Sequence, residues 1–293
     1  MNFTIQRSRG LPALLIVFAL WVTPATAAEI ERTGGPYVPT PQVVVEHMLL
    51  MAGVSEKDYV IDLGSGDGVI VLTAARVFKA GGMGVDIDPE LVRLSNASAR
   101  KLGVAARVHF VEQDVFKTDL SKASVLTLYL LPAMMLNLRA KIFNELKPGV
   151  RVVSHDYHFG EWSPDQSIGL DVPEKEHVTG VSRANVMLWH VPARIAGTWE
   201  IKVAGGATYE AALKQRFQVV EGTVSTGGKS LKPQYLALRG AEFLFALPDG
   251  KGEARFVGRA SGDVMEGTVE LPGAKAPARW TATRTVAGKV VTE

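Results

Sequence analysis

The sequence predicts an α/β fold with a doubly wound, mainly parallel sheet, followed by a C-terminal antiparallel β domain. Short apolar runs alternate with helical periods from about residue 36 to residue 193, which is typical of a sheet with helices on both faces. Beyond that point, short alternating segments separated by glycine turns predict the antiparallel strands of a sandwich or small barrel. In this second part, the one stretch whose pattern also fits a helix runs from Tyr209 to Lys214.

The length and composition of the chain are those of about two folded domains, and its net charge gives no reason to expect a nucleic-acid partner. The chain has 293 residues, of which 47% are hydrophobic, and its formal net charge of +2 is too small to predict a nucleic-acid partner. It has no cysteine, so no disulfide is predicted, and no metal site is predicted either. We divide the chain into a leader (residues 1–28), the α/β domain (29–193) and the β domain (194–293).

The leader has the order of a secretory signal peptide. Arg7 and Arg9 precede an apolar run from Leu11 to Val22, and small residues lead to a cleavage site at Ala27 or Ala28. The apolar run is shorter than the ~20 residues that a membrane-spanning helix needs, although an uncleaved anchor stays an alternative. We therefore predict a periplasmic or secreted protein with no stable membrane insertion after cleavage.

A glycine-rich turn follows the first apolar run of the α/β domain. The run Tyr59 to Ile61 leads into D-x-G-x-G-x-G, which spans Asp62 to Gly68, and a helical period comes next. Alternate glycines leave the backbone open to a ligand, and the third comes one residue earlier than in the dinucleotide pattern G-x-G-x-x-G. Asp62 and Asp67 would also repel a pyrophosphate by about 1 kcal/mol or more per close pair. The turn therefore favours a ligand with an ammonium and a sulfonium.

A second strand, Met83 to Ile87, places Asp86 about 20 residues beyond the glycines. At that distance a carboxylate meets the ribose hydroxyls of a bound nucleoside. The turn and its acids together therefore predict a nucleoside site and not an ordinary βαβ unit without a ligand.

The remaining elements of the α/β domain follow in the order that such a sheet requires. The prolines of Pro36 to Pro41 hold an extended segment that is either a rigid entry loop or a lid over the ligand. Thr40 is predicted to cap the helix Gln42–Ala52. After the second strand we predict helices over Pro89–Lys101 and Leu136–Leu146, and strands over Val108–Val111, Ser124–Leu130, Val150–Ser154 and Val186–Val191.

Several motifs together resemble one enzyme family. These are PYVPTP before the first helix, DLGSGDG, GVDIDPELV, YLLP at the end of the fourth strand and HDY at the end of the fifth. The combination is similar to the ATP synthase c-subunit lysine N-methyltransferase family and its bacterial relatives, which are class I methyltransferases that use S-adenosylmethionine (SAM). The resemblance covers about Pro36 to Ala193. It implies SAM as the cofactor and methyl transfer to an acceptor, expected to be a protein lysine amine.

The resemblance also implies which residues contact SAM. Asp62 and the glycine turn would surround the methionine part, Asp86 would hold the ribose, and Asp114 with Val115 would meet the adenine. The lid would add two more residues. The complete predicted set is Tyr37, Thr40, Asp62, Gly64, Ser65, Gly66, Asp67, Asp86, Ile87, Asp114 and Val115.

The acceptor is predicted to bind where the fourth and fifth strands end. A lysine amine, with a pKa of about 10.4 in water, must lose a proton first, and burial in an apolar pocket favours that loss. The residues predicted for this pocket are Tyr129, Leu131, Pro132 and Met135. The residues predicted as catalytic are Tyr129, His155 and Asp156, although the last two also fit a solvated strand end. YLLP differs from the Asn/Asp-Pro-Pro-Tyr motif of enzymes that methylate exocyclic amines, so the predicted partner is a protein or small-molecule amine.

Two functions fit the sequence. The first is an exported SAM-dependent methyltransferase. The second is a non-catalytic exported binding module that keeps the SAM fold and uses the β domain to bind a partner. Three acids, Asp62, Asp86 and Asp114, favour the methyltransferase, because a site that no longer binds SAM has no reason to keep them together. The predicted export favours the second, because SAM is a cytoplasmic metabolite.

Overall fold

The computed structural model describes residues 35–250 and 252–292. The predicted signal peptide lies outside these residues. Within the described part of the chain, no helix has the length and apolar character needed to cross a bilayer. The described residues form a seven-stranded sheet with helices and, after it, a separate antiparallel sheet of ten strands.

The first sheet and its helices take up residues 42 to 190. The strands are β1 (Tyr59–Leu63), β2 (Gly81–Asp86), β3 (Val108–Glu112), β4 (Val125–Leu128), β5 (Arg151–His155), β6 (Gln166–Asp171) and β7 (Arg183–His190). The helices are α1 (Gln42–Met51), α2 (Val69–Val77), α3 (Pro89–Lys101), α4 (Pro132–Glu145) and α5 (Pro173–Thr179), and a short 3-10 helix spans Val115–Lys117.

The topology of this sheet confirms the predicted doubly wound fold. The strand order is β3-β2-β1-β4-β5-β7-β6, in which β1 to β5 are parallel and β7 is antiparallel to both of its neighbours, β5 and β6. The direction of winding reverses between β1 and β4, and crevices at such switch points bind ligands beyond the carboxyl ends of the strands. The central strands are apolar runs buried on both faces, as parallel strands between two helical layers must be.

Two helices, α1 and α3, begin at the carboxyl edge of the sheet, and they differ in how their first turns are capped. α3 begins after Asp88, whose carboxylate accepts a hydrogen bond from the backbone N–H of Glu90 at 2.8 Å. The predicted cap by Thr40 is wrong, since α1 begins after Pro41 and no side chain caps it. The carbonyl of Pro41 instead accepts from the N–H groups of the first turn, and Thr40 is left facing the carboxyl edge of the sheet.

The C-terminal residues form one sheet that is antiparallel apart from its short last strand, and this confirms the predicted antiparallel β domain. Its strands are β8 (Gly197–Val203), β9 (Thr208–Arg216), β10 (Val219–Thr226), β11 (Lys229–Leu231), β12 (Gln234–Arg239), β13 (Glu242–Asp249), β14 (Gly252–Ser261), β15 (Val264–Glu270), β16 (Ala278–Ala287) and β17 (Val290–Val291). Most strands that are neighbours in sequence pair with one another, β8 also pairs with β16, and the short β17 pairs in parallel with β9. Side chains on one face, among them Trp199, Phe245 and Trp280, form a filled core.

The helical pattern at Tyr209 to Lys214 is wrong, because these residues belong to β9. Alternate residues of β9 are buried against the inner face of the sheet, and this packing overrides the helix propensity of its alanine, leucine and lysine residues.

The two sheets share an aromatic cluster. Phe217, in the turn between β9 and β10, is 1% exposed and stacks on Trp162 with ring centroids 5.5 Å apart. Its ring also meets the edge of Phe143 at 6.0 Å. A residue of the C-terminal sheet therefore completes the core of the α/β part. The predicted boundary at residue 193 stays a prediction, and the structure shows that the two cores are in contact across it.

Candidate active site

A cavity of about 830 Å³ opens at the carboxyl ends of the parallel strands. Its volume is in the range of small-molecule sites. The loops after β1, β2, β3, β4 and β5 and the proline segment before α1 all contribute to its walls. Every residue of the predicted cofactor set lines it: Tyr37, Thr40, Asp62, Gly64, Ser65, Gly66, Asp67, Asp86, Ile87, Asp114 and Val115.

Glycine is required in the turn after β1. Gly66 has φ +53°, a left-handed conformation, and a Cβ built on it would lie 2.4 Å from Cε2 of Tyr37. A Cβ on Gly64, which has φ +76°, would lie 2.5 Å from a methyl carbon of Leu130. The missing side chains allow the lid tyrosine and the β4 end to close on the turn from two sides.

Asp86 is held in place by two backbone groups. One carboxylate oxygen accepts from the N–H of Gly66 at 2.8 Å, and the other accepts from the N–H of Asp88 at 3.0 Å. Each oxygen keeps lone-pair capacity for a further donor. A carboxylate fixed in this way at the end of β2 can accept hydrogen bonds from ligand hydroxyls.

Asp62 is a buried carboxyl group whose side chain has one hydrogen-bond partner among the described residues. It is 2% exposed and accepts a hydrogen bond from the hydroxyl of Thr127 at 2.7 Å. Burial raises its pKa to about 7, and the nearby negative charges of Asp86 and Asp67 contribute to the same rise. Among the described residues that line the cavity, none is lysine, arginine or histidine. A positively charged ligand would therefore stabilise the ionised form of Asp62.

Tyr37 connects the lid to the glycine turn. Its ring lies over Gly66, and the pKa of its phenol is raised because the group is partly buried and faces the charge of Asp67. At the same mouth, a Cβ on Gly35 would lie 2.8 Å from a methyl carbon of Leu131. The proline segment thus closes one side of the cavity.

The ends of β4 and β5 form an aromatic wall. Tyr129 lines the cavity and stacks on His155, with ring centroids 3.9 Å apart. Tyr157 also lines the cavity and stacks on Tyr129 at 6.1 Å. Burial, followed by the charge of Asp156, raises the pKa of Tyr129 to about 12, so its hydroxyl stays protonated at neutral pH.

The structure does not place His155 and Asp156 in the cavity, in contrast to the predicted direct contact with the acceptor. His155 is fully buried behind Tyr129, and burial lowers its pKa to about 4, so the ring is neutral. The Asp156 carboxylate turns away, forms an ion pair with Lys175 and accepts from the N–H of Asn185 at 2.9 Å.

The acceptor pocket also differs in part from the prediction. Tyr129 and Leu131 line the cavity, whereas Met135 is fully buried in the core and Pro132 is an exposed residue outside the cavity lining. Tyr157 is one of the contributors that the sequence did not predict, together with Met134 and Asn137 of α4. The sequence does show that Tyr157 lies two residues beyond the fifth strand. However, the backbone turn that directs its side chain into the cavity has no sequence pattern of its own.

Comparisons with known proteins define the class. The family described as "ANTKMT methyltransferase domain" matches residues 62–166. A protein-lysine N-methyltransferase of Saccharolobus islandicus (strain REY15A) is 43% identical over 143 residues, which cover 48% of this chain and 89% of that protein. The ATP synthase c-subunit lysine N-methyltransferase of Rattus norvegicus is 33% identical, over 54% of this chain and 71% of that protein. The chain belongs to this methyltransferase family.

A solved structure agrees with the sequence matches. An RNA methyltransferase from Salinibacter ruber in complex with S-adenosyl-L-homocysteine is 44% identical, with a TM-score of 0.50. The match covers 54% of this chain and 96% of that one. The protein is a SAM-dependent methyltransferase, and SAM is its cofactor. These findings support the enzyme and not the non-catalytic binding module.

The residues of the cavity fit SAM. The buried hydroxyl of Ser65 has no hydrogen-bond partner among the described residues, and Ser65 lines the cavity. The carboxylates of Asp62, Asp67 and Asp86 suit an ammonium and ribose hydroxyls, and the glycine turn leaves the space that a Cβ would fill. When bound, SAM supplies a methyl group already activated on a sulfonium.

Proposed function

We propose that the protein methylates lysine side chains of other proteins. The observation that supports this most is the combination of an acidic cavity with the aromatic wall of Tyr129 and Tyr157. Aromatic faces and carboxylates attract a lysine ammonium and disfavour the phosphates of a nucleic acid. The names of the relatives from S. islandicus and R. norvegicus support the same acceptor.

In this proposal the residues on the two sides of the cavity have different roles. Asp62, Asp67 and Asp86 hold the cofactor, while Tyr129 and Tyr157 align the acceptor amine. Since Tyr129 keeps its own proton at neutral pH and His155 lies behind it, the acceptor releases its proton to solvent before transfer. The bound cofactor would supply the methyl group, and the neutral amine aligned by Tyr129 and Tyr157 would accept it. Alignment and exclusion of water supply the acceleration.

The lid contributes the exclusion of water. Tyr37 covers the glycine turn from one side, and Leu131 at the start of α4 meets the lid backbone at Gly35. Closing this mouth over the reactants would remove competing water from the reacting centre.

The test is a labelling experiment with the purified full chain. Protein extract and total RNA are incubated separately with methyl-labelled SAM, and the acid hydrolysate of the labelled protein is analysed for methyl-lysines. Label in methyl-lysine, absent with Gly66→Val, is the expected result. Label that is removed by ribonuclease and missing from lysine would overturn the proposal in favour of an RNA acceptor.

We also infer that the protein is exported. The order of Arg7, Arg9, the apolar run and the small residues up to Ala28 is the support for this. Mass spectrometry of the periplasmic fraction should find a chain that begins at Ala28 or Glu29. Full-length protein confined to the cytoplasm would contradict export.

A further inference from the structure

The backbone reverses sharply where β5 ends. Asp156 has φ +63°, a left-handed conformation that non-glycine residues seldom adopt, although Asp tolerates it better than most. The N–H of Tyr157 donates to the carbonyl of His155 at 2.8 Å, and the hydroxyl of Ser154 donates to the carbonyl of Tyr157 at 2.6 Å. This bend brings Tyr157 back over Tyr129 at the cavity wall.

A buried lysine holds the bend from behind. Lys175 of α5 is 5% exposed, and its ammonium pairs with the Asp156 carboxylate and donates to the carbonyl of Arg183 at 2.7 Å. The Asp156 N–H and carboxylate both bond to the backbone of Asn185 in β7. Lysine is rarely buried unless it is paired. Lys175 therefore ties together the end of β5, the start of β7 and the helix between β6 and β7.

Lys175 does not line the cavity, so its connection to the site runs through Asp156. Without its ammonium, the partly buried Asp156 carboxylate would face only the neutral ring of His155, whose Nε2 lies 3.5 Å away, and the unpaired charge favours rearrangement of the turn. Tyr157 follows Asp156 directly, and Tyr129 stacks on both His155 and Tyr157. A shift of the bend would therefore move the aromatic wall.

We propose that Lys175 is a positioning residue for the acceptor: by pairing with Asp156 it holds the left-handed turn that sets Tyr157 against Tyr129. This inference rests on the proposed function, in which that aromatic wall aligns the acceptor amine. It assigns the segment between β6 and β7 a role in methyl transfer.

The chain offers a matched control at the other end of the same strand. Arg151 of β5 pairs with the buried Asp58 and donates to the carbonyl of Gly53 at 3.1 Å, at the amino edge of the sheet. Lys175→Met and Arg151→Met each leave a largely buried aspartate side chain, Asp156 or Asp58, without its cation. Only the first lies behind the aromatic wall.

The experiment measures methyl transfer and SAM affinity for both variants, with whichever acceptor the wild-type enzyme labels. Lys175→Met should lower kcat/KM for the acceptor by at least about tenfold while SAM affinity stays within about twofold, and Lys175→Arg should restore part of the loss. Arg151→Met should lower thermal stability and leave the kinetic constants near wild type. Equal kinetic effects in the two methionine variants would overturn the inference.

A second measurement does not depend on any acceptor. In protein with labelled tyrosine rings, Lys175→Met should shift the ring signals of Tyr129 and Tyr157, and Arg151→Met should not. If Lys175→Met is too unstable to study, Lys175→Gln also removes the ammonium but keeps a side chain that can form hydrogen bonds, and the same shifts are expected. Unchanged ring signals would overturn the inference, whereas a wild-type enzyme that labels only RNA would overturn the proposed function alone.

Discussion

At the residue scale, Asp62 makes cofactor binding depend on pH. Burial and two neighbouring carboxylates raise its pKa from 3.8 to about 7, and a cationic ligand favours its ionised form. SAM affinity should therefore increase as the pH rises towards about 7, by up to about tenfold per pH unit, and should level off at higher pH. Calorimetric titration of the wild type and of Asp62→Asn checks this, since the variant should show a flatter pH profile.

The same carboxyl group makes the free protein less stable as the pH rises, whereas it makes SAM binding tighter. Because folding raises the pKa of Asp62, its protonated form is favoured in the folded state, and ionisation opposes folding. Its stabilising contribution is present below about pH 4 and is lost as the pH rises to about 7. Identical pH profiles for wild type and Asp62→Asn, in binding and in melting, would contradict this assignment.

Gly66 provides a steric test of the lid. A methyl group on Gly66 would overlap the ring of Tyr37, so Gly66→Ala should displace the lid and weaken SAM binding by about tenfold or more. Gly103→Ala is the matched control, because Gly103 is also left-handed (φ +69°) but has open space around it. The Gly103→Ala variant should be less stable than the wild type but should bind SAM with the same affinity. Equal loss of affinity in both variants would mean that backbone strain alone is responsible.

At the scale of elements, the acceptor site depends on how two strands end. Tyr129→Phe removes the hydroxyl and keeps the ring that stacks on His155. It should lower kcat by about tenfold, because the acceptor amine would lose a hydrogen-bond partner on the aromatic wall, while SAM affinity stays nearly unchanged. Tyr59→Phe, at the amino end of β1, is the control and should be neutral. Wild-type turnover in Tyr129→Phe would limit Tyr129 to a structural role.

The elements that the sequence predicted best are those buried most completely. β1 to β5 lie within a few residues of their predicted positions, because a strand buried on both faces is a short apolar run between turns. β6 was missed, since it is an edge strand with largely exposed residues. The glycine turn and its acids were predictable, because spacing alone sets where they lie. The roles of His155, Asp156 and Tyr157 were not, because one left-handed residue changes which side chain faces the cavity.

At the scale of the whole molecule, Phe217 connects the stability of the two sheets. Its ring fills a space among Trp162 and Phe143, so Phe217→Ala should lower the free energy of unfolding by about 3–5 kcal/mol. Urea denaturation measures this, with Tyr235→Ala as a control because Tyr235 is 69% exposed. A loss similar to that of the control would mean that the two sheets fold without support from each other.

Removal of the β domain is the corresponding test of the predicted boundary. Every residue of the predicted cofactor set lies before residue 193, so a fragment of residues 29–193 should still bind SAM. It should melt at a lower temperature than the full chain, because Trp162 and Phe143 would lose the ring that covers them. Loss of binding in a folded fragment would show that the β domain completes the site.

The pairing of β8 with β16 has a consequence for the order of folding. Gly197, at the start of the C-terminal sheet, pairs with Ala287, close to the end of the chain, so this contact cannot form until nearly all of the sheet is available. Contacts between residues so distant in sequence are slow to form. The β9–β10 hairpin is local, and it carries Phe217. The hairpin can therefore dock on the α/β core early, and the sheet closes around it last.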